Sequence, residues 1–211
     1  MLSLAVRTAR ELMGDTPHEF IIVDGGSTDG TIEWAKAQPC VTLIAQGQRF
    51  GAVRAFNEGF RASTGKYVAN FNDDIVFYGN PLKQAIRQLD ENGLIGQVAI
   101  PFQCPNEMCP RTDSLIVGNP KREMLYANFG VTRKFLGDKV GWWGNLTHQY
   151  NGDPHLSLGI WNYGYKVVRL NGDGYIGHLE SKDATRLTNN DSHLLFQAWS
   201  SWPGPPEKPI L

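Results

Sequence analysis

The chain alternates short apolar runs with segments whose apolar positions recur at the spacing of a helix. The apolar runs predict buried strands at Phe20–Val23, Val41–Ala45, Tyr67–Phe71 and Leu94–Ile100. The helical spacing predicts helices over Met1–Met13, over Thr31–Gln38, around Ala52–Phe60 and over Pro81–Glu91. At the last of these, Asn80 and Pro81 are a typical cap and first helical residue.

Strands that alternate with helices of this length favour right-handed crossover connections. The sequence therefore predicts an α/β fold with a mostly parallel central sheet and helices on both faces. In such sheets, ligands bind at the carboxyl ends of the strands. Asp24 follows one predicted strand, and Asp73 and Asp74 follow another. We therefore expect the ends of Phe20–Val23 and Tyr67–Phe71 to lie side by side.

The second half of the chain is less regular. Strands are predicted at Leu125–Gly130 and Val167–Leu170, and a helix at Leu156–Tyr163. Proline-rich stretches predict a loop over Pro101–Pro120 and a flexible tail over Ser200–Leu211.

Composition narrows the possible partners. The 20 basic and 21 acidic residues give a formal charge of -1, so no net field attracts nucleic acid. Three cysteines do not suggest a disulfide framework, and no apolar stretch reaches the roughly 20 residues of a membrane span. We expect a cytoplasmic protein without a transmembrane segment, and the sequence leaves peripheral membrane contact open.

The sequence Asn72-Asp73-Asp74 after an apolar strand is the first candidate for chemistry. Mg²⁺ typically binds one or two carboxylates together with substrate phosphates. Two adjacent acids at a strand end can therefore serve a metal ion and a ribose hydroxyl. The alternative is a solvated turn whose acids cap the next helix.

Three motifs extend this candidate. They are EFIIVDGGSTDGT at Glu19–Thr31, RAFNEG at Arg54–Gly59 and GKYVANFNDD at Gly65–Asp74. In this order they resemble the nucleotide-binding turn, the Arg-Asn-x-Gly helix and the Asp-x-Asp strand of family-two glycosyltransferases. The resemblance implies a GT-A fold, a nucleotide-diphospho-sugar donor and a divalent metal, Mn²⁺ or Mg²⁺.

The resemblance also implies roles for individual residues. Asp24 matches the acid that contacts the nucleotide, with Gly26 and Arg54 as further donor-binding positions. In the third motif, Asp74 matches the metal-binding acid and Asp73 a ribose contact. Asn72 replaces the first acid of the motif, so its amide oxygen would bring a ligand atom but no charge to the metal.

In the second half, Asp153 matches the general base of an inverting reaction, with Trp142, Trp143 and Tyr150 as an apolar wall for a sugar. The alternative is that Asp153 caps a helix beginning at Pro154. His178 matches a late metal ligand of related enzymes, although a lone histidine is more often structural. Lys182 and Arg186 are either contacts of the leaving diphosphate or solvated.

The resemblance divides the chain into a nucleotide-sugar-binding half at 1–100, an acceptor-binding half at 101–199 and the tail. The resemblance also predicts a strand before the first helix, and this sequence begins at that helix. The sequence leaves open whether it starts late, whether another segment fills the gap or whether activity is impaired. The leading prediction is an inverting glycosyltransferase acting on a saccharide or another hydroxyl acceptor. The alternatives are a nucleotide-sugar-binding module without catalysis and a nucleotidyltransferase.

Overall fold

The computed structural model describes residues 1–116, 123–147, 150–179 and 192–211. Its helices are α1 (Leu2–Met13), α2 (Thr31–Lys36), α3 (Ala52–Ala62), α4 (Pro81–Glu91), α5 (Lys134–Val140), α6 (Gly152–Asn162) and α7 (Ser192–Trp199). Its strands are β1 (Phe20–Asp24), β2 (Val41–Ala45), β3 (Tyr67–Asn70), β4 (Ile75–Tyr78), β5 (Ile95–Ala99), β6 (Phe102–Gln103), β7 (Ser114–Ile116), β8 (Glu123–Leu125), β9 (Gly130–Arg133), β10 (Lys166–Arg169) and β11 (Tyr175–His178).

In the first half, the predicted helices and strands are confirmed to within a few residues. Local sequence is sufficient there because each boundary has its own signal. In α4, for example, the Asn80 side chain accepts a hydrogen bond from the Lys83 N–H at 3.2 Å, and Pro81 occupies the first turn. The buried faces of α1 and α4 meet strands β1 and β4 in the main core.

The α/β class is confirmed, but the sheet is less parallel than expected. Among the described residues, the parallel pairs are β1–β2, β5–β10 and β6–β11. The antiparallel pairs are β3–β9, β5–β9, β4–β11 and β7–β8. Strands β4, β9 and β11, which were not predicted, take part in three of the four antiparallel pairs, and β7 with β8 forms the fourth.

Strands β1 and β3 lie opposite each other without pairing. They belong to separate sheets, β1 with β2 and β3 with β9. Where the two strands begin, the carboxylate of Glu19 accepts hydrogen bonds from the N–H and hydroxyl of Thr64, at 2.6 and 2.8 Å. Residues of both strands, up to Asp24 and Asn70 at their carboxyl ends, line the open space between them. The two carboxyl ends therefore share one region, as expected, but the strands are not hydrogen-bonded to each other.

The second half corrects several predictions. The strand predicted over Leu125–Gly130 is wrong, because β8 ends at Leu125 and β9 begins at Gly130. Helix α6 begins at Gly152, four residues before the predicted start at Leu156. Helices α5 and α7 were not predicted.

The expected loose tail has no helix or strand, yet it packs against the end of α6. The Ile210 N–H donates to the Tyr163 carbonyl at 3.1 Å, and Trp202 donates to the Asn162 side chain at 2.9 Å. These contacts attach residues 200–211 to the helix that carries Asp153.

Candidate active site

A cleft of about 1830 Å³ lies at the carboxyl ends of β1 and β3 and continues into the gap between them. Ligand pockets typically measure about 300–1,000 Å³. The cleft is larger than this because it extends between β1 and β3, and every residue of both strands lines it. The cleft is lined by these predicted site residues: Asp24, Gly26, Asn72, Asp73, Asp74, Asp153 and His178.

Asp24 is buried at the end of β1 and closes the turn that follows. Its Oδ1 accepts hydrogen bonds from the backbone N–H groups of Gly26 and Ser27, both at 2.8 Å. Burial acts to raise the pKa of Asp24, but the hydrogen bonds from Ser27 and Gly26 outweigh burial and leave the pKa lowered. Asp24 therefore remains a carboxylate that can accept hydrogen bonds from a nucleotide.

Gly26 has a φ of 97°, which L side chains rarely adopt. A Cβ at this position would lie 2.7 Å from the carbonyl oxygen of Gly47, at the loop that follows β2. The glycine is therefore needed both for the turn and for the close approach of the two loops that form this wall of the cleft.

Asp74 and His178 come together through the antiparallel pairing of β4 with β11, in which His178 is opposite Ile75. His178 Nε2 lies 3.3 Å from Asp74 Oδ1 and 3.4 Å from Asn72 Nδ2. The Leu179 N–H also donates to the Asp74 carbonyl at 2.8 Å. The carboxylate, imidazole and amide that the resemblance implied as metal ligands thus occupy one corner of the cleft.

This corner fits a hard divalent ion only in part. Within the described ranges, no group of three or more His, Cys, Asp and Glu side chains is arranged to hold a metal. Asn72 contributes an amide and no charge to this corner. Asp74, His178 and the Asn72 amide oxygen would hold such an ion only together with substrate phosphates or water, as Mg²⁺ sites commonly do.

Asp73 lies on the rim of the cleft, exposed to solvent. The surrounding protein still raises its pKa through desolvation, and the neighbouring charge of Asp74 adds to this rise. Because its side chain is exposed at the rim, Asp73 can contact a ligand as a carboxylate.

Arg54 is placed outside the cleft. Its guanidinium forms an ion pair with Glu58 at 2.9 Å and lies over the ring of Phe50, 3.9 Å from its centroid. Arg49 lines the cleft instead, beside Gly25. No sequence signal marked Arg49, because its position depends on the loop between β2 and α3.

Asp153 is the second residue of α6, and Asn151 occupies the cap position with a φ of 64°. The capping role proposed for Asp153 is therefore wrong. Its side chain is only half-buried because it lines the cleft. The surrounding protein nevertheless raises its pKa to about 7, mainly by desolvation, with a further contribution from the charge of Asp113.

The aromatic wall predicted beside Asp153 divides into core and cleft residues. Trp142 stacks on Phe60 with ring centroids 4.5 Å apart, and it is 2% exposed, so it belongs to the core. Trp143 packs against Phe56 at 4.1 Å but also lines the cleft, as does Tyr150.

Two further cleft residues were missed in the sequence. Burial, and next the charge of Asp153, raise the pKa of the Tyr126 hydroxyl well above its ordinary value. The buried thiol of Cys104 lies 4.0 Å from His178 Nδ1, on the side of the imidazole away from Asp74. Neither residue belongs to a recognisable motif. Lys182 and Arg186 lie outside the described residues.

The sequence model of glycosyl transferase family 2 matches residues 2–141, about two thirds of the chain. The chain belongs to this family. No protein of curated function matches the chain in sequence.

Three solved structures share the GT-A fold of the chain at low sequence identity. GalNAc-T7 with UDP, GalNAc and Mn²⁺ has a TM-score of 0.66 at 13% identity, over 84% of this chain and 41% of its own. TarS of S. aureus, residues 1–349, has a TM-score of 0.65 at 15% identity, over 84% and 56%. The mannosyltransferase PcManGT from Pyrobaculum calidifontis, in complex with GDP-Man and Mn²⁺, has a TM-score of 0.62 at 18% identity, over 87% and 55%.

The chain thus spans about half the length of these proteins. Among the described helices, none combines the length and apolar character needed to cross a membrane.

Proposed function

We propose that this family-two chain transfers a sugar from a nucleotide-diphosphate donor to a hydroxyl acceptor, with inversion at the anomeric carbon. The observation that carries this proposal is the arrangement of one cleft. It combines a carboxylate at the β1 turn, a metal-binding corner at Asp74 and His178, and a carboxylate of raised pKa at Asp153. The neighbouring structures with nucleotide, nucleotide-sugar and Mn²⁺ support it.

In this proposal, Asp24 accepts hydrogen bonds from the nucleoside, and the Gly26 turn allows the backbone to approach it closely. Asp73, at the rim, accepts a hydrogen bond from the ribose. Arg49 replaces Arg54 as the cation on this wall. These residues would bind and orient the donor, and such positioning of the reactants lowers the activation free energy of the transfer.

Asp74, His178 and Asn72 would hold a divalent cation, Mn²⁺ or Mg²⁺. When bound, such an ion neutralises the diphosphate and the charge that the leaving group develops. The carboxylate charge of Asp74 is the largest protein contribution at this corner.

Asp153 would take the proton from the acceptor hydroxyl as the oxygen attacks the anomeric carbon. A base works best when its pKa is close to the operating pH, and desolvation has moved the pKa of Asp153 to about 7. Trp143 and Tyr150 supply the apolar surface next to it, on which a sugar ring can stack.

The test is the release of nucleoside diphosphate from a panel of UDP-, GDP- and dTDP-sugars with Mn²⁺, supplied with a mixture of hydroxyl acceptors. We expect at least one donor to release nucleoside diphosphate, and this release should depend on the presence of an acceptor. Donor binding by calorimetry without any release would instead support a binding module, consistent with Asn72 in place of an acid. Release of pyrophosphate from a nucleoside triphosphate and a sugar phosphate would indicate a nucleotidyltransferase.

A further inference from the structure

A chain of buried polar side chains connects the sheet to α6. It consists of Thr132 on β9, Gln97 on β5 and Ser157 on α6, which are each at most 1% exposed. Buried polar groups are costly unless they are hydrogen-bonded, and apolar residues of similar size would fill the same space. We therefore ask what this buried hydrogen-bonded network contributes besides stability.

The network is continuous. The Gln97 amide donates to the Thr132 hydroxyl at 3.0 Å, and the Ser157 hydroxyl donates to Gln97 Oε1 at 2.7 Å. The Ser157 oxygen also accepts the backbone N–H of Ala127 at 3.1 Å. The same oxygen lies 3.1 Å from the carbonyl of Asp153, one helical turn earlier.

The two backbone contacts of Ser157 lead directly to two cleft residues. One is Asp153 itself, at the start of α6. The other is Tyr126, which precedes Ala127 and whose pKa is raised in part by the charge of Asp153. Ser157 therefore bridges two segments that are distant in sequence, and Gln97 anchors this bridge to the centre of the sheet.

We propose that Ser157 is a positioning residue that, held by Gln97, keeps Asp153 and Tyr126 at a fixed separation in the cleft. This inference rests on the proposed role of Asp153 as general base. Loss of the Ser157 hydroxyl would break the links from α6 to Gln97 and to the Ala127 N–H, so that α6 and the Tyr126–Ala127 segment could shift relative to each other. Water would then enter beside Asp153, and its desolvation would decrease.

The direct experiment is an NMR titration of the side-chain carboxyl carbons of ¹³C-labelled aspartate in the free protein. The Asp153 signal is assigned by its absence in Asp153→Asn. In the wild type it should titrate near pH 7, and in Ser157→Ala about one pH unit lower, because burial is the main cause of the raised pKa. An unchanged Asp153 titration in Ser157→Ala would overturn the proposal.

Two further variants separate positioning from general destabilisation. Ser63→Ala removes another buried hydroxyl that donates to a helix carbonyl, that of Phe60 at 2.7 Å, and should leave the Asp153 titration unchanged. Gln97→Met keeps the volume but removes the anchor, so it should shift the titration in the same direction as Ser157→Ala. The double variant should shift no further than Ser157→Ala alone. Equal shifts in Ser63→Ala would also overturn the proposal.

With the donor found active in the panel, Ser157→Ala should lower kcat by about 10- to 100-fold at unchanged donor KM, since small displacements of a reacting group are costly. The midpoint of the acidic limb in the plot of kcat against pH should shift to lower pH by the same amount as the Asp153 titration measured by NMR. Normal turnover in Asp153→Asn would show that Asp153 is not the general base. The NMR titration would still decide whether Ser157 positions Asp153. A wild-type kcat in Ser157→Ala would contradict the positioning role.

Discussion

His178 Nε2 lies 3.3 Å from Asp74 Oδ1, although Asp74 directly precedes β4 and His178 ends β11, 178 − 74 = 104 positions later. The pairing of these two strands brings the imidazole to the end of the Asn72–Asp74 segment. Under the proposed function, this contact is part of the corner that would hold the divalent cation.

The first prediction concerns this corner. Asp74→Ala should abolish Mn²⁺-dependent donor binding. The substitution removes the buried carboxylate that would contribute most of the protein's negative charge to the cation site. Asp73→Ala should weaken binding less, since Asp73 lies at the exposed rim. Calorimetric titration of the donor with and without Mn²⁺ measures both effects. Metal dependence that persists in Asp74→Ala would exclude Asp74 as the ligand.

The second prediction separates Arg49 from Arg54. Arg49→Ala should weaken donor binding by up to about 1 kcal/mol, because it removes a cation from the cleft wall. Arg54→Ala is the matched control and should leave donor affinity nearly unchanged, because Arg54 pairs with Glu58 outside the cleft. The same calorimetric titration applies. A larger loss in Arg54→Ala would favour the role implied by the sequence motif.

The third prediction concerns Gly26. Gly26→Ala should destabilise the protein by about 1–3 kcal/mol and weaken donor binding, since it combines a strained φ with a Cβ 2.7 Å from the Gly47 oxygen. Gly30 has a similar φ of 89°, but a Cβ added there would meet no atom of the described residues within 4 Å. Gly30→Ala is therefore the control for strain alone. Denaturant unfolding should show the smaller loss for Gly30→Ala, and equal losses would rule out the contact with Gly47.

The fourth prediction concerns the activity of Asp153. Asp153→Asn should lower turnover by roughly 10²–10⁴-fold with donor affinity retained. In the wild type, kcat/KM should fall as the pH drops below about 7, because protonation removes the base. Steady-state kinetics between pH 5 and pH 9 would measure both. Near-normal turnover in the variant would leave the base to be found elsewhere.

The fifth prediction concerns stability at the same residue. The pKa of Asp153 is raised in the folded protein, so its contribution to stability is fully present below the unfolded pKa of about 3.9 and is lost as the pH rises through about 7. Asp153→Asn removes this loss. The variant should therefore be more stable than the wild type at pH 8, by on the order of 1–4 kcal/mol, and gain less at pH 5. Urea unfolding at the two pH values gives the comparison, and a pH-independent difference would argue against a raised pKa.

Much of the first half could be predicted from the sequence alone. Apolar runs, the Asn80–Pro81 cap and the glycine turn at Gly26 are local signals, and each acts over a few residues. The motif order from Glu19 to Asp74 indicated the family for the same reason, since the donor-binding groups lie close together in the chain.

The tertiary structure alone decided the rest of the site. His178 reaches Asp74 only because β11 pairs with β4, and Asp153 has a raised pKa only because α6 packs its first turn against the cleft. Arg49 lines the cleft because it lies on the loop between β2 and α3, whereas Arg54 lies on α3 and pairs with Glu58 on the same helix. Desolvation, strand pairing and cleft geometry depend on groups distant in sequence, whereas sequence patterns report only on neighbours along the chain.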